Sequence, residues 1–411
     1  MSSHESLSRR KFIQTGAAAG ALGVAGCAKP GKEIAMAPEK VPHVEPAKSP
    51  AGAVAKKPVA GDRIRVGFIA IGGRGGGLLN EVVKFDNVDV VALCDIKEER
   101  TKWAAGVVEE KHKARPNFKK PEQYHGSPDI YKELLKRGDV DAVVSAAPCF
   151  EHARIYLDCL AAGKHTYGEK PMCISAKECR DLIAAEAKST AILQIGFQRR
   201  WNPNYTESIK LVHAGECGEL MDGRAAWSNA WGPLVGWFGR TKESGDWMLE
   251  QACHSWDVLN WVTGGIAQWA WGFGRKDLYL EQQKDRDVHD YYLATIGWPG
   301  RLVVHFLHTW MSPPDAGFPG VYEKVAGPKA GVDLGSGTFS YRRKEDNKKQ
   351  VGRGVNDTYE AFKAFFDCCK NGKQPASGVL NGANATYVGL LVRKAVNENR
   401  LVTMEEVLKE G

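Results

Sequence analysis

Two stretches hold the residues whose types and spacing suit proton transfer: Glu169-Lys170-Pro171, and the run from Glu250 through His254 to Asp257. Taking a proton from an alcohol needs a base that titrates near working pH. Histidine, with an ordinary pKa of about 6.5, meets that need, and His254 is assigned the role. Lys170 can hydrogen-bond the same oxygen and steady the negative charge that develops on it. Residues 246–261 carry apolar side chains at helical spacing, which puts Glu250, His254 and Asp257 on one face, so either carboxylate can orient the imidazole. A histidine with a carboxylate three residues on is, taken alone, more often a satisfied structural residue. The lysine at 170 tips the balance toward chemistry.

An alcohol that gives up its O–H proton in an oxidation also loses a hydride, and the elements upstream provide for an acceptor. Residues 66–71 form an apolar strand that runs into the turn Ile71-Gly72-Gly73-Arg74-Gly75. A G-x-G-x-x-G turn sets the positive end of a helix against a pyrophosphate, with glycines where backbone must approach phosphate. Gly72 and Gly75 stand at the second and third positions, and Ala70 at the first, tolerable if Ala70 keeps a negative φ. The next strand, 88–95, ends in Asp95, where an acid binds the ribose 2′-hydroxyl. A carboxylate there repels a 2′-phosphate, so NAD is favoured over NADP. Residues 140–148 are a further apolar run, expected to be buried on both faces, and a helix begins at His152. A strand over 164–168, a helix over 176–188 and a strand over 191–197 follow. Pro171 cannot donate to a ladder, so the strand stops and leaves Lys170 at the carboxyl edge, where open α/β sheets bind ligands.

Three motifs here are similar to those of one family. The run Ala162-Gly163-Lys164-His165 leading to Glu169-Lys170-Pro171, the Ala146-Ala147-Pro148 before His152, and Gly196-Phe197-Gln198-Arg199-Arg200-Trp201-Asn202-Pro203 resemble the glucose–fructose oxidoreductase and inositol dehydrogenase (Gfo/Idh/MocA) family. The resemblance covers roughly residues 62–411. It implies an α/β chain: an N-terminal Rossmann dinucleotide-binding domain, then a C-terminal α+β domain with a large, open, mostly antiparallel sheet that often mediates homo-oligomerisation. It also implies a catalytic group made of the E-K-P lysine, an aspartate and a histidine four residues later. Here these are Lys170, Glu250 in the aspartate position, and His254. The longer carboxylate of Glu250 leaves open which proton it handles.

The expected cofactor contacts are Ile71, Gly72, Gly73, Arg74, Gly75, Asp95, Ala147, Pro148, His152, Glu169, Lys170 and Gln198. Arg199, Trp231, Trp237 and His254 are the substrate-binding candidates, although a structural salt bridge explains Arg199 and Arg200 equally well. Nine of the twelve tryptophans fall between 201 and 271, and indole rings stack on the C–H faces of sugars. Large aromatics also fill cores, so only a few, with Trp231, Trp237 and Phe238 foremost, are expected to line a carbohydrate pocket. No metal-ligand spacing is evident.

The ends of the chain bear on the chemistry. Arg9-Arg10-Lys11-Phe12-Ile13 with a weakly apolar Ala/Gly run resembles a twin-arginine export signal, and Val24-Ala25-Gly26-Cys27 resembles a lipobox that would lipidate Cys27. That apolar run is too short to span a bilayer of about 30 Å, so any membrane contact is expected through the signal or the lipid. Residues 28–60 carry six prolines and no apolar period, and read as an extended tether. The expected divisions are 1–27 signal, 28–60 tether, 61–196 nucleotide-binding domain and 197–411 substrate and oligomerisation domain. Of the formal net charge of +7, +2 lies in residues 1–27 and +3 in 28–60, so the remainder carries +2. Together with the lack of a basic stripe or nucleic-acid motif, this argues against a nucleic-acid partner. Apart from Cys27 there are nine cysteines, an odd number without a C-x-x-C, so no disulfide framework is expected; Cys253 is the one thiol next to a candidate base. Residues 311–336 read as a long loop, a lid or interface arm, before a short strand at 338–341. Helix 357–369 and an amphipathic segment at 384–397 end the chain.

Twin-arginine export carries folded proteins, which lets a cofactor be loaded before export. Outside the cytoplasm no NAD pool turns over a released cofactor, so NAD retained through a redox-neutral cycle is expected. Hydride transfer between two sugars satisfies this, as does transient oxidation of a sugar, elimination of a glycosidic substituent, addition of water and return of the hydride. A conventional sugar or polyol dehydrogenase with exchangeable NAD, and a catalytically silent sugar-binding lipoprotein, stand as alternatives.

Overall fold

The computed structural model describes residues 41–230, 232, 236–278, 280–313, 320–342 and 348–410. The twin-arginine stretch, Cys27 and Trp231 fall outside them.

The first sheet is six-stranded, in the order β3-β2-β1-β4-β5-β6. Its strands are Ile64–Ile69 (β1), Val88–Cys94 (β2), Glu122–Tyr124 (β3), Ala142–Ser145 (β4), His165–Gly168 (β5) and Leu193–Ile195 (β6). All its pairings are parallel. β1 and β4 read as continuous apolar runs because both faces of a parallel sheet are covered. Helices Gly73–Val82, Glu98–His112, Cys149–Ala161 and Ala176–Lys188 supply the cover. Winding reverses between β1 and β4, and the chain leaves both strands toward the same carboxyl edge, the switch point where such sheets bind dinucleotides. The second helix of interest starts at Cys149, so His152 lies inside it rather than at its start.

The second sheet has nine strands, in the order β14-β13-β12-β11-β7-β10-β9-β8-β15. They are Asp222–Ser228 (β7), Trp269–Arg275 (β8), Tyr291–Gly297 (β9), Val303–Thr309 (β10), Gly320–Ala326 (β11), Ala330–Asp333 (β12), Thr338–Tyr341 (β13), Lys348–Gln350 (β14) and Val402–Thr403 (β15). Among the described strands of this sheet, only β7 and β10 pair in parallel. Helix Val379–Glu398 packs against strands of both sheets, and helix Trp247–Thr263 is packed between it and strands β7 and β11. That position explains why both bury side chains all round rather than on one stripe.

Two segments differ from the sequence reading. Residues 320–326 and 330–333, expected in a long loop, are strands β11 and β12. Their period-two alternation was hidden because Glu323 occupies an inward position, where an apolar residue is the rule. Residues 41–60, the second half of the expected tether, have no regular structure but are laid against the body. Val54 N–H donates to Ala187 O (2.8 Å), Lys57 N–H to Thr190 O (2.8 Å) and Val59 N–H to Cys369 O (2.8 Å). Lys56 is buried, its Nζ bonded to Glu186 O (2.8 Å), Ser189 O (2.9 Å) and Glu186 Oε1 (2.6 Å). No helix among the described residues is long and apolar enough to cross a membrane.

Candidate active site at the carboxyl edge of the parallel sheet

The glycine turn after β1 is more tightly drawn than its composition required. Ala70 has φ 64°, in the left-handed region, not the negative φ expected of it. A side chain on Gly75 would put its Cβ 2.2 Å from Ala70 O, so only glycine lets helix Gly73–Val82 approach the strand. Gly72 precedes the helix with no side-chain cap, which leaves its first N–H groups open. Asp95, at the end of β2 and 3% exposed, accepts from Ile71 N–H (2.6 Å) and Lys97 N–H (2.9 Å). Arg100 Nη1 stands 3.6 Å from the same carboxylate. Asp95 thus braces the turn itself. A recess of about 610 Å³, lined by Gly72, Gly73, Gly76, Arg100 and Trp103 among others, opens over the turn.

At the carboxyl end of β5 a chain of alternating charges is assembled. Arg74 Nε donates to Glu169 Oε1 at 2.6 Å, and Lys170 N–H donates to Glu169 Oε2 at 3.2 Å. Lys170 Nζ donates to Glu250 O at 3.0 Å and forms an ion pair with the Glu250 carboxylate. Burial opposes the charge on Lys170, but Glu250, with Glu169, outweighs it and holds the ammonium above the ordinary lysine range. Burial likewise disfavours the Glu169 carboxylate, and Arg74 and Lys170 overcome that and keep it ionised. His152 bonds backbone on two sides. Its Nδ1 meets Pro171 O at 2.6 Å and its Nε2 meets Ala147 O at 2.8 Å, so the ring clasps the two turns that carry Lys170 and Pro148.

His254 is 6% exposed, and its Nδ1 is buried with no hydrogen-bond partner among the described residues. Neither carboxylate of its own helix orients it. Glu250 is taken by Lys170, and Asp257 accepts a bidentate pair from Arg200, Nε at 2.8 Å and Nη2 at 2.7 Å. The expectation of a carboxylate-oriented histidine is therefore corrected: the three residues share a helix face, but closer cations claim both acids. The imidazole is held by rings instead, Trp227 stacked at 5.8 Å and 16° and Phe197 edge-on at 5.8 Å. Burial, then the nearby Lys170, Arg199 and Arg74 charges, push its pKa well below the usual histidine value, so the ring is neutral.

Arg199 is also paired, its Nη1 2.6 Å from Glu323 Oε1, and lies over the Trp227 ring at 5.4 Å. The salt-bridge reading of both arginines holds. Glu323, fully buried, was missed from sequence; a glutamate at an inward position of an otherwise alternating strand was the signal. Gln198 Oε1 is buried and has no hydrogen-bond partner among the described residues. Trp237 is half-buried and stacks on Phe238 at 3.8 Å, and Phe238 meets Trp310 at 6.0 Å. Trp310 Nε1 and His308 Nε2 both bond Gln251 Oε1, at 2.8 and 3.1 Å. Cys253 is fully buried with Sγ on Glu250 O at 3.1 Å, and burial raises its pKa above the thiol range, so it is a packing residue.

The open helix end, brought close to the strand by Gly75, and Gln198 Oε1, buried and unpartnered among the described residues, fit a bound dinucleotide: free backbone N–H groups would hold its pyrophosphate, and the amide would be available to bond it.

Comparison with known proteins agrees. Residues 64–197 match the profile described as "Oxidoreductase family, NAD-binding Rossmann fold", and residues 205–330 match "GFO/IDH/MocA C-terminal domain". A protein of Akkermansia muciniphila named "Glycosyl hydrolase family 109 protein 2" is 34% identical over 256 residues, 59% of this chain and 51% of that protein. A "Glycosyl hydrolase family 109 protein" of Shewanella pealeana is 31% identical over 194 residues, 44% of this chain and 41% of that one. The chain thus spans about half the length of these curated relatives. The aldose-aldose oxidoreductase of Caulobacter crescentus, solved with glycerol, superposes with a TM-score of 0.70 over 83% of this chain and 99% of that one, at 18% identity. Levoglucosan dehydrogenase in complex with NADH gives a TM-score of 0.71 over 83% and 99% at 15% identity, a likeness of fold. With the turn, the lysine edge and both domain profiles in one chain, it belongs to the Gfo/Idh/MocA family, whose N-terminal profile is that of an NAD-binding Rossmann fold.

Proposed function

We propose that this enzyme acts on a carbohydrate with NAD retained through a redox-neutral cycle, and that the cycle ends in oxidation–elimination–hydration cleavage of a glycoside. The observation that carries the reading is the neutral His254, its Nδ1 without a hydrogen-bond partner among the described residues, one helical turn from the Glu250 that pairs with the charged Lys170. A base and a cation are what the removal of an alcohol proton requires. The names of the glycosyl hydrolase family 109 relatives favour cleavage over hydride exchange between two sugars. NAD, when bound, supplies the acceptor that takes a hydride from the sugar carbon and gives it back. His254 takes the hydroxyl proton, and Lys170 stabilises the oxygen as charge develops. The ketone so formed acidifies the neighbouring C–H, and Glu250, hydrogen-bonded to Lys170, is placed to exchange that proton. The Trp237–Phe238 stack is the candidate for holding the sugar.

Export by the twin-arginine route to the periplasm, with a lipid on Cys27, belongs to the same reading, since it explains why the cofactor must be retained. The open face of the nine-stranded sheet is the proposed homo-oligomer contact. The test is to desalt the protein extensively, denature it, quantify released NAD and NADH, and assay glycosides in D2O with no added cofactor. Near-stoichiometric NAD, with deuterium at the carbon next to the oxidised one in the released sugar, supports the proposal. Turnover that consumes added NAD overturns it in favour of an exchangeable-cofactor dehydrogenase.

A further inference from the structure

Among the described residues no carboxylate bonds the His254 ring, so its position must come from other contacts. We propose that Glu323 is the positioning residue of the site: its buried carboxylate holds Arg199 against Trp227 and Ser255 beside His254, and so fixes the imidazole by two routes. The proposal rests on the reading of His254 as the base.

Glu323 sits on β11, two strands from β10 in the middle of the nine-stranded sheet, with none of its side chain exposed. A charge so placed persists only when it is paired and hydrogen-bonded. Three donors converge on it: Arg199 Nη1 at 2.6 Å, Tyr205 Oη at 3.1 Å and Ser255 Oγ. The first route runs through rings. Arg199, fixed by that ion pair, lies over Trp227 at 5.4 Å and over Tyr205 at 5.5 Å, and Trp227 stacks on His254 at 5.8 Å. The second runs through backbone, because Ser255 follows His254 in helix Trp247–Thr263 and ties that turn of the helix to the sheet. Asp257, one turn on, is held separately by Arg200, so the two acids divide the helix between them. Glu323 itself touches neither His254 nor the Lys170–Glu250 pair in any contact found among the described residues.

The experiment uses the NAD-loaded protein labelled at histidine, with the His254 ring signals assigned by their loss in His254→Gln. In Glu323→Gln, which keeps an acceptor but loses the ion pair, the His254 signals should shift. NAD content and KM should hold while kcat falls on the order of 100-fold, as expected of a misplaced catalytic group. If Glu323→Gln does not fold, the double variant Arg199→Leu/Glu323→Leu, which buries no unpaired charge, replaces it with the same expectation. A folded variant with unmoved His254 signals and wild-type kcat overturns the proposal. Should the wild-type protein turn over no sugar, the ring signals alone decide: shifted signals sustain the role of Glu323 even though the proposed function has failed, and unmoved signals sink it.

Discussion

At the scale of single residues, the site is a matter of which charge each acid meets. Glu250 and Asp257 were equally placed to serve His254, and the fold gives one to Lys170 and the other to Arg200. His254→Ala should then abolish turnover while leaving NAD content intact; a variant with wild-type rates would remove the imidazole from the mechanism. The pH dependence has a definite sign. His254 must be neutral to accept a proton, and its pKa is lowered, so activity is lost only as pH falls below the ordinary histidine value of about 6.5. Lys170 must be charged, and its pKa is raised, so the alkaline limb lies above the ordinary lysine value of about 10.4. Between these limits kcat/KM should be flat with respect to both groups. Glu250→Gln removes the main charge that offsets burial, so Lys170 should lose its proton at lower pH; direct titration of the Lys170 ammonium in the two proteins, which needs no turnover, checks this.

At the scale of elements, the glycine turn was legible as a motif but not as a geometry. Composition showed Gly72 and Gly75 and left Ala70 as a benign departure, yet the alanine adopts φ 64°. A non-glycine residue in that region costs roughly 1–2 kcal/mol, so Ala70→Gly should raise stability by about 1 kcal/mol once the added chain entropy of glycine is deducted. Gly75→Ala should do the reverse: a methyl 2.2 Å from Ala70 O must force the helix off the strand and lose NAD, and equal NAD content would refute the close approach. Asp95 carries a structural duty that its position in the motif concealed. Asp95→Ala leaves Ile71 N–H and Lys97 N–H without an acceptor, and should weaken NAD retention by loosening the turn. Retention equal to wild type, measured by released cofactor, would show that Asp95 supports neither turn nor ribose.

At the scale of the whole molecule, segments far apart in sequence close the body. Helix Asp357–Asn371 follows β14 of the nine-stranded sheet but packs on the first, with Phe362 against Tyr167 at 4.4 Å and Ala361 O accepting from Gln194 Nε2 at 3.0 Å. Residues 41–60 run the other way, from Gln268 and Asn384 in the second half to Ala187 and Thr190 in the first. Lys56→Met would leave Glu186 without its cation and two carbonyls without a donor, at a cost of about 3 kcal/mol, seen as a lower Tm. An unchanged Tm would show the segment to be a tether after all.

The sequence by itself determined what local pattern can encode. Apolar runs buried on both faces gave the parallel strands, the glycine turn gave the start of the first helix, Pro171 ended a strand and so placed Lys170 at the edge, and helical spacing put Glu250, His254 and Asp257 together. The resemblance carried by those same motifs pointed to the family. Only the tertiary structure decided which charges meet. Lys170 and Glu250, Arg200 and Asp257, Arg199 and Glu323 are each paired across segments distant in the chain, and no periodicity records such a partnership. β11 stayed hidden for the same reason: its inward glutamate is acceptable only because Arg199, Tyr205 and Ser255 converge on it from elsewhere. A buried charge is explained by its partners, and partners are chosen by the fold.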